Sequence, residues 1–400
     1  MGEQFQMVSV EHREKGCDLE FLSLDKARAI REFHRSFPMY APTPLAHLGE
    51  TAKILGLGDI YVKDESYRFG LNAFKVLGGS FAIGRVLADR LGKDISEISY
   101  EMLTAPETRA QLGEMTFVTA TDGNHGRGVA WAANQFQQKS VVYMPKGSAR
   151  ERLDNILAEG SDASITQLNY DDAVRLASRQ AEEKGWVLVQ DTAWDGYEDI
   201  PARIMQGYGT MGLEAWEQLP EKPTHIFLQA GVGSMAGAIA GLFAAIYGKD
   251  RPIVAVVEPN KADCIFRTAR ADDGTLHCVT GDMDTIMAGL ACGEPCSIGW
   301  NVLRDYADYF ISCPDYSAAT GMRMLGNPAR GDDRVISGES GAACFGCVAE
   351  IMRDPALKDI KEKLGLNEQS RVLFFSTEGD TDRENYRAIV WDGKYPGKEQ

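Results

Sequence analysis

The sequence predicts an α/β protein in which mostly parallel sheets are covered by helices. Short apolar runs of strand length alternate with longer stretches of helical periodicity along most of the chain. Alternation of this kind places parallel strands between crossover helices. The predicted strands span residues 116–120, 140–144, 164–168, 187–190, 225–230, 253–257 and 372–376. The predicted helices span residues 128–137, 149–159, 170–184, 200–219 and 235–247.

Two further segments complete this prediction. The polar stretch 106–113 is expected to be a loop, and the apolar run 340–352 is expected to be a buried helix. That helix would carry Cys344 and Cys347, but no second C-x-x-C pair lies near enough to build a zinc site. The eight cysteines are expected to be reduced thiols and mostly buried. Cys264 and Cys292 could form a regulatory disulfide, although unpaired thiols are favoured, and no metal site is predicted.

Length and composition restrict the classes of function. The 400 residues suffice for two or three domains or for one large two-lobed unit. Hydrophobic residues make up 44% and charged residues 25%, which is usual for a globular protein with a sizeable core. The net charge of −16 disfavours a nucleic acid or an anionic membrane as partner, because both bind basic surfaces. The polar N-terminal segment and the lack of a long apolar run predict a cytoplasmic protein without a membrane span.

Lys75 is the first candidate for chemistry. It lies in the segment NAFKVLGGS, where its neighbours are apolar or small. Such surroundings would partly desolvate the amine, lower its pKa and leave it nucleophilic. A nucleophilic lysine forms Schiff bases with carbonyl compounds, including the aldehyde of pyridoxal phosphate. Taken alone, the segment favours an ordinary surface lysine.

A glycine-rich turn provides the second candidate. The segment GVGSMAG at residues 231–237 follows a predicted strand and opens an apolar helix. Backbone N–H groups at such a helix start, together with the helix dipole, bind phosphate. The spacing matches neither a nucleotide P-loop nor a dinucleotide-binding fingerprint, so a single phosphate group is favoured over a purely structural turn. The candidate phosphate-binding residues are Gly231, Val232, Gly233, Ser234, Met235 and Gly237.

The segment TATDGNHGRG at residues 119–128 also joins a predicted strand to a helix. Asn124 could hydrogen-bond a ring hydroxyl, and the backbone of residues 121–125 could hold a carboxylate at the helix start. Asp122 is either the N-cap of that helix or a base. A structural role is favoured for His125. The candidate substrate-binding residues are Thr121, Asp122, Gly123, His125 and, less strongly, Tyr170.

Together these three segments resemble the fold-type II pyridoxal phosphate enzymes, the tryptophan synthase β family. The resemblance implies two open, twisted, mostly parallel sheets with flanking helices, and a cofactor between two domains. The large domain would comprise residues 1–85 and 190–400, and the small domain residues 86–189. It also implies a homodimer, a Schiff base on Lys75, and contact between Asn124 and the 3′-oxygen of the cofactor. The segment FSTEGD would bring a hydroxyl to the pyridine nitrogen, with Ser376 favoured over Thr377.

Within that family, four segments resemble the enzymes that eliminate ammonia from 2,3-diaminopropionate and yield pyruvate. They are NAFKVLGGS, ATDGNHGRGVAWAA, VQDTAWDGYEDIP and IMAGLACGEP. Serine and threonine dehydratases carry a small neutral residue where this chain has Asp122. The resemblance implies that Asp122 is the base for the D substrate and Lys75 the base for the L substrate. Asp191 follows a predicted buried strand and could be a second acid. A hydroxy amino acid dehydratase and a non-catalytic, ligand-sensing relative remain the alternatives.

Overall fold

The computed structural model describes residues 4–11, 16–121 and 123–397. These residues form eleven strands and sixteen α-helices. The strands are β1 Gln6–Ser9, β2 Leu45–His47, β3 Asp59–Asp64, β4 Thr116–Ala120, β5 Lys139–Met144, β6 Asp162–Ile165, β7 Val187–Leu188, β8 His225–Gln229, β9 Ile253–Pro259, β10 Tyr309–Cys313 and β11 Arg371–Ser376. The helices are α1 Leu24–Arg35, α2 Gly49–Leu55, α3 Val76–Leu91, α4 Tyr100–Thr104, α5 Pro106–Leu112, α6 Asn124–Gln135, α7 Arg150–Ala158, α8 Tyr170–Lys184, α9 Asp199–Gln218, α10 Ser234–Tyr247, α11 Cys264–Ala271, α12 Ser297–Tyr306, α13 Asp315–Gly326, α14 Glu339–Arg353, α15 Lys358–Leu364 and α16 Arg383–Val390.

The strands assemble into two sheets, which confirms the predicted α/β class. The seven-stranded sheet has the order β1-β10-β9-β8-β11-β3-β2, and only its edge strands β1 and β2 are antiparallel to their neighbours. The four-stranded sheet has the order β6-β5-β4-β7 and is parallel throughout. Its strands lie within the proposed small domain, whereas helix α3 crosses the boundary placed at residue 85. The domain bounds therefore stay a prediction.

One predicted element is wrong, and several strands were missed. Residues 106–112 form helix α5 rather than a loop, because Pro106 suits the first helical position and Thr108 and Leu112 bury one face. The strand predicted at 164–168 is β6, which begins two residues earlier and ends three residues earlier. Strand β3 is not predicted, because Lys63 and Asp64 interrupt the apolar run that indicates a buried strand. The structure nevertheless buries β3 along most of its length.

Helices α3 and α9 pack closely enough to fix the chain just after Lys75. A Cβ atom at Gly207 would collide with the carbonyl oxygen of Leu77 and lie 2.9 Å from the Cα of Gly78. Conversely, a Cβ atom at Gly78 would meet the ring of Tyr208. Only glycine permits so close a backbone approach, and the first turn of α3 is thereby held against α9.

A buried ion network fixes the chain just before Lys75. Arg68 donates to Glu65 at 2.8 Å and to Glu214 of α9 at 2.7 Å, and Lys63 lies 2.7 Å from the Glu214 carboxylate. Burial alone would raise the pKa of Glu214, but the charges of Arg68 and Lys63 outweigh burial and lower the pKa to about 2. The network ties β3 and the segment that follows it to α9.

Among the described helices, none is long and apolar enough to cross a membrane.

Candidate active site

A cleft opens where β4, β8 and β11 end, so both sheets contribute to it. The carboxyl ends of parallel strands are the usual place for a ligand in open α/β sheets. Twelve of the candidate residues line this cleft: Lys75, Thr121, Asn124, His125, Tyr170, Asp191, Gly231, Val232, Gly233, Ser234, Met235 and Thr377. Gly123, Gly237 and Ser376 do not line it, and Asp122 lies outside the described residues.

Lys75 lies at the N-cap position of α3, and its amine donates a hydrogen bond to the Asp191 carboxylate. The Lys75 side chain is 20% exposed and that of Asp191 only 5%, so the lysine is partly desolvated as the sequence predicts. Asp191 follows the short strand β7 of the other sheet. The pair therefore joins the segment before α3 to the end of β7 across the cleft.

Asp191 is an ionised carboxylate with a second basic neighbour. His125, the second residue of α6, places Nδ1 3.8 Å from Asp191 Oδ2 and donates from Nε2 to the carbonyl oxygen of Val189 at 2.8 Å. Burial alone would raise the pKa of Asp191, but the charges of His125 and Lys75 outweigh burial and lower the pKa to about 2. The Tyr170 hydroxyl lies 3.5 Å from Asp191 Oδ1. His125 thus belongs to the cleft wall, in addition to the structural role expected for it.

The glycine-rich turn at residues 231–234 leads from β8 into the start of α10. Gly233 has φ +94°, a left-handed conformation that favours glycine, and Ser234 opens the helix. The Ser234 hydroxyl donates to the main-chain oxygen of Asp191 at 2.6 Å, which ties this turn to the Lys75–Asp191 pair. A Cβ atom at Gly231 would lie 3.2 Å from Cys292 Sγ, so a larger residue would narrow the cleft. The backbone N–H groups at the start of α10 can therefore approach a bound phosphate group closely.

Thr121 organises the turn in which Asn124 and His125 begin α6. Its hydroxyl oxygen accepts from the backbone N–H groups of Gly123 at 2.9 Å and Gly126 at 3.1 Å. These bonds satisfy donors at the helix start that lack an intrahelical partner. Thr121 is thus a structural cap beside the cleft.

The two hydroxyl candidates at the end of β11 point in different directions. The Ser376 hydroxyl donates to Ser337 Oγ at 2.8 Å, away from the cleft. Thr377 lines the cleft, and its hydroxyl oxygen accepts from Gln229 Nε2 at 2.9 Å. The preference for Ser376 over Thr377 therefore disagrees with the placement of the two side chains. Adjacent strand residues point to opposite faces, and the motif alone did not reveal which face meets the cleft.

Several wall residues escaped prediction, and Glu378 is the most notable among them. It lines the cleft next to Thr377 and accepts a hydrogen bond of 2.5 Å from the amide nitrogen of Asn124. The other unpredicted wall residues include Gly289, Leu290, Cys292 and Ser340. The sequence does single out the segment of Glu378, because FSTEGD is the segment expected to bring a hydroxyl to the pyridine nitrogen.

The cysteines contribute no cross-link. All eight are thiols rather than halves of disulfides, in agreement with the expectation for Cys264 and Cys292. Cys264 and Cys292 both approach Gly231 of the glycine-rich turn. Cys344 and Cys347 lie in the buried helix α14, as predicted. Within residues 4–11, 16–121 and 123–397, no group of His, Cys, Asp and Glu side chains is suited to hold a metal ion.

These residues fit pyridoxal phosphate. Lys75 offers an amine for its aldehyde, the start of α10 offers N–H groups for its phosphate, and Thr377 offers a hydroxyl beside the cleft. A family model described as "Pyridoxal-phosphate dependent enzyme" matches residues 37–376. The chain therefore belongs to the family of pyridoxal phosphate-dependent enzymes, which confirms the expected fold type and cofactor.

Relatives within this family are close. A diaminopropionate ammonia-lyase from Salmonella typhimurium is 53% identical over 384 residues, covering 95% of each chain. The holo structure of the Escherichia coli diaminopropionate ammonia lyase has a TM-score of 0.92 at 47% identity and covers 99% of this chain and 98% of that one. The same E. coli enzyme, in complex with an aminoacrylate-PLP azomethine reaction intermediate, has a TM-score of 0.90 at 47% identity, covering 98% of each chain.

Proposed function

We propose that this chain eliminates ammonia from D- and L-2,3-diaminopropionate and yields pyruvate. The observation that carries the proposal is the buried, ionised Asp191 beside Lys75. The similar Salmonella and E. coli enzymes support the choice of substrate. The overall reaction consumes one water and releases one pyruvate and two ammonia molecules per diaminopropionate. The first ammonia is the β-amine, and the second is released when the resulting unsaturated amino acid hydrolyses.

Bound pyridoxal phosphate supplies an electron sink for the Cα–H bond that breaks. The protein supplies the proton transfers and the electrostatics. Lys75, as a neutral amine, can take the Cα proton from its side of the cleft. The Asp191 carboxylate, which His125 also faces at 3.8 Å, can hold the β-amine of the substrate as an ammonium ion. An amine leaves readily only when it is protonated, so this carboxylate favours the loss of an amine over that of a hydroxyl group.

Asp122 is proposed as a second base that acts on the D substrate. The proposal rests on its place in the TDGNHGRG segment, because Asp122 lies outside the described residues. Bases on opposite faces of the substrate would let both enantiomers react. Asp122→Asn should reduce kcat for the D substrate by about 10²–10⁴-fold, the usual contribution of a general base, and affect the L substrate far less. An equal loss for both enantiomers would contradict the two-base assignment.

A substrate panel tests the proposed reaction. Purified holoenzyme is given D- and L-diaminopropionate, D- and L-serine, and threonine, and pyruvate or 2-oxobutyrate is measured. We expect the highest kcat/KM for diaminopropionate. A higher value for a hydroxy amino acid would indicate a dehydratase instead. If no amino acid yields a keto acid while the absorbance of bound cofactor depends on Lys75, the chain is a non-catalytic ligand-binding relative.

A homodimeric, cytoplasmic enzyme is also proposed, on the resemblance to its family and on sequence composition. Light scattering of the purified holoenzyme should give twice the chain mass of 43.9 kDa. A monomeric mass would contradict the homodimer.

A further inference from the structure

Glu378 is a buried carboxylate surrounded by hydrogen-bond donors. The residue is 1% exposed. Oε2 accepts from Asn124 Nδ2 at 2.5 Å and from the Thr381 hydroxyl at 3.1 Å, while Oε1 accepts from the backbone N–H of Ser340 at 3.1 Å. All three partners donate, so both carboxylate oxygens serve as acceptors.

The backbone around Glu378 is clamped by glycines. A Cβ atom at Gly341 of α14 would lie 3.0 Å from the Glu378 carbonyl oxygen, and one at Gly338 would lie 3.0 Å from Glu378 Cγ. A Cβ atom at Gly379 would collide with Asn72 Oδ1. These close approaches fix the loop against the start of α14, so the carboxylate reaches the cleft in a preorganised position.

The carboxylate determines how the Asn124 amide is turned. An amide has two N–H donors on one side and an oxygen acceptor on the other. Because a carboxylate accepts, the nitrogen of the amide must face Glu378. One N–H is then used, and the other N–H remains for the cleft that Asn124 lines.

We propose that Glu378 is a positioning residue that holds Asn124 so that its second amide N–H meets the ring oxygen of pyridoxal phosphate. The proposal rests on the cofactor of the family and on the contact proposed for Asn124. It does not depend on which amino acid is the substrate. Every measurement below is made without amino acid substrate, so the role proposed for Glu378 is tested independently of the proposed reaction.

A double-mutant cycle on cofactor binding tests whether Glu378 acts through Asn124. The dissociation constant and the absorption spectrum of pyridoxal phosphate are measured for wild type, Glu378→Gln, Asn124→Ala and the double variant. A glutamine amide can donate or accept, so Asn124 would no longer be held in one orientation. We expect Glu378→Gln to weaken cofactor binding about tenfold and to shift the absorption maximum, as loss of a charge-assisted hydrogen bond would. In the Asn124→Ala background the same change should alter binding less than about twofold.

Glu350→Gln is the matched control. Glu350 lies on helix α14, outside the cleft, and accepts from the Thr320 hydroxyl at 2.8 Å. This variant should leave both the affinity and the spectrum unchanged. If Glu378→Gln fails to fold, Thr381→Val removes one donor to Oε2 and should give a smaller change of the same direction, absent in the Asn124→Ala background. Equal loss of affinity in both backgrounds, or an unchanged affinity and spectrum, would overturn the proposal.

Discussion

The Lys75 amine donates a hydrogen bond to the carboxylate of Asp191, and this ion pair joins two segments 116 residues apart. Lys75 is held in place by the close packing of α3 on α9 and by the Arg68 network before it. Asp191 is held by its burial and by Ser234, which donates to its main-chain oxygen. The pair therefore depends on both sheets and on the glycine-rich turn, and its disruption should affect chemistry more than folding.

Asp191→Asn should reduce kcat for diaminopropionate by about 10²–10⁴-fold, because the neutral amide cannot hold the β-amine as an ammonium ion. The cofactor should still be bound through Lys75, which its absorbance and its trapping by borohydride would report. Wild-type kcat in this variant would contradict the role of Asp191.

Asp191 should also produce a stability change at acidic pH in the cofactor-free protein. Its folded-state pKa is lowered from 3.8 to about 2, so its contribution is present above about pH 4 and is lost as the pH falls through 2. The shift corresponds to about 2 kcal/mol. Denaturant unfolding should therefore show that the free energy of unfolding of the wild type exceeds that of Asp191→Asn by less at pH 3 than at pH 5. An equal difference in the free energy of unfolding at the two pH values would contradict the lowered pKa.

Two glycines of α9 provide a matched pair for the helix contact. Gly207→Ala should destabilise the protein by roughly 1–3 kcal/mol and weaken cofactor binding, because its Cβ would collide with Leu77 at the start of α3. At Gly209 the nearest atom to an added Cβ is 3.8 Å away, on Ala27. Gly209→Ala should therefore stabilise the helix by up to about 1 kcal/mol. Urea unfolding distinguishes the two, and equal effects would refute the contact argument.

Arg68→Met should destabilise the protein by about 3–5 kcal/mol, because it removes the guanidinium that pairs with both buried carboxylates, Glu65 and Glu214, and leaves Glu214 with Lys63. An exposed pair serves as control: Lys53 donates to Glu50 at 2.7 Å on the surface of α2. Lys53→Ala should leave the unfolding midpoint unchanged, since exposed ion pairs contribute little. A small effect of Arg68→Met would mean that the network does not stabilise the segment before Lys75.

Thr377→Val and Ser376→Ala should separate the roles of the two hydroxyl groups at the end of β11. The former removes a hydroxyl that lines the cleft, so it should shift the absorption spectrum of the bound cofactor and lower kcat. The latter removes a hydroxyl bonded to Ser337, so it should lower stability and leave the spectrum unchanged. The opposite pattern would restore the sequence-based preference for Ser376.

The sequence predicted what local patterns encode. Buried parallel strands read as short apolar runs, and the cleft-forming turns carry glycine and small polar residues that a helix start requires. Strand β3 was missed because its Lys63 is neutralised by Glu214, a partner far along the chain. The FSTEGD motif marks the position of Glu378 along the chain but not the direction of its side chain, which depends on contacts with Gly338 and Gly341 around the start of α14. Such tertiary contacts have no local signature in the sequence.

The ratio of ammonia to pyruvate tests the central claim most directly. Purified holoenzyme is given each enantiomer of diaminopropionate, with Lys75→Ala as control, and both products are measured at completion. The proposed elimination predicts two ammonia molecules for each pyruvate from both enantiomers, and no turnover by the control. If diaminopropionate yields no pyruvate while serine yields one ammonia per pyruvate, the enzyme is a dehydratase and the assignment of amine elimination to this site is wrong.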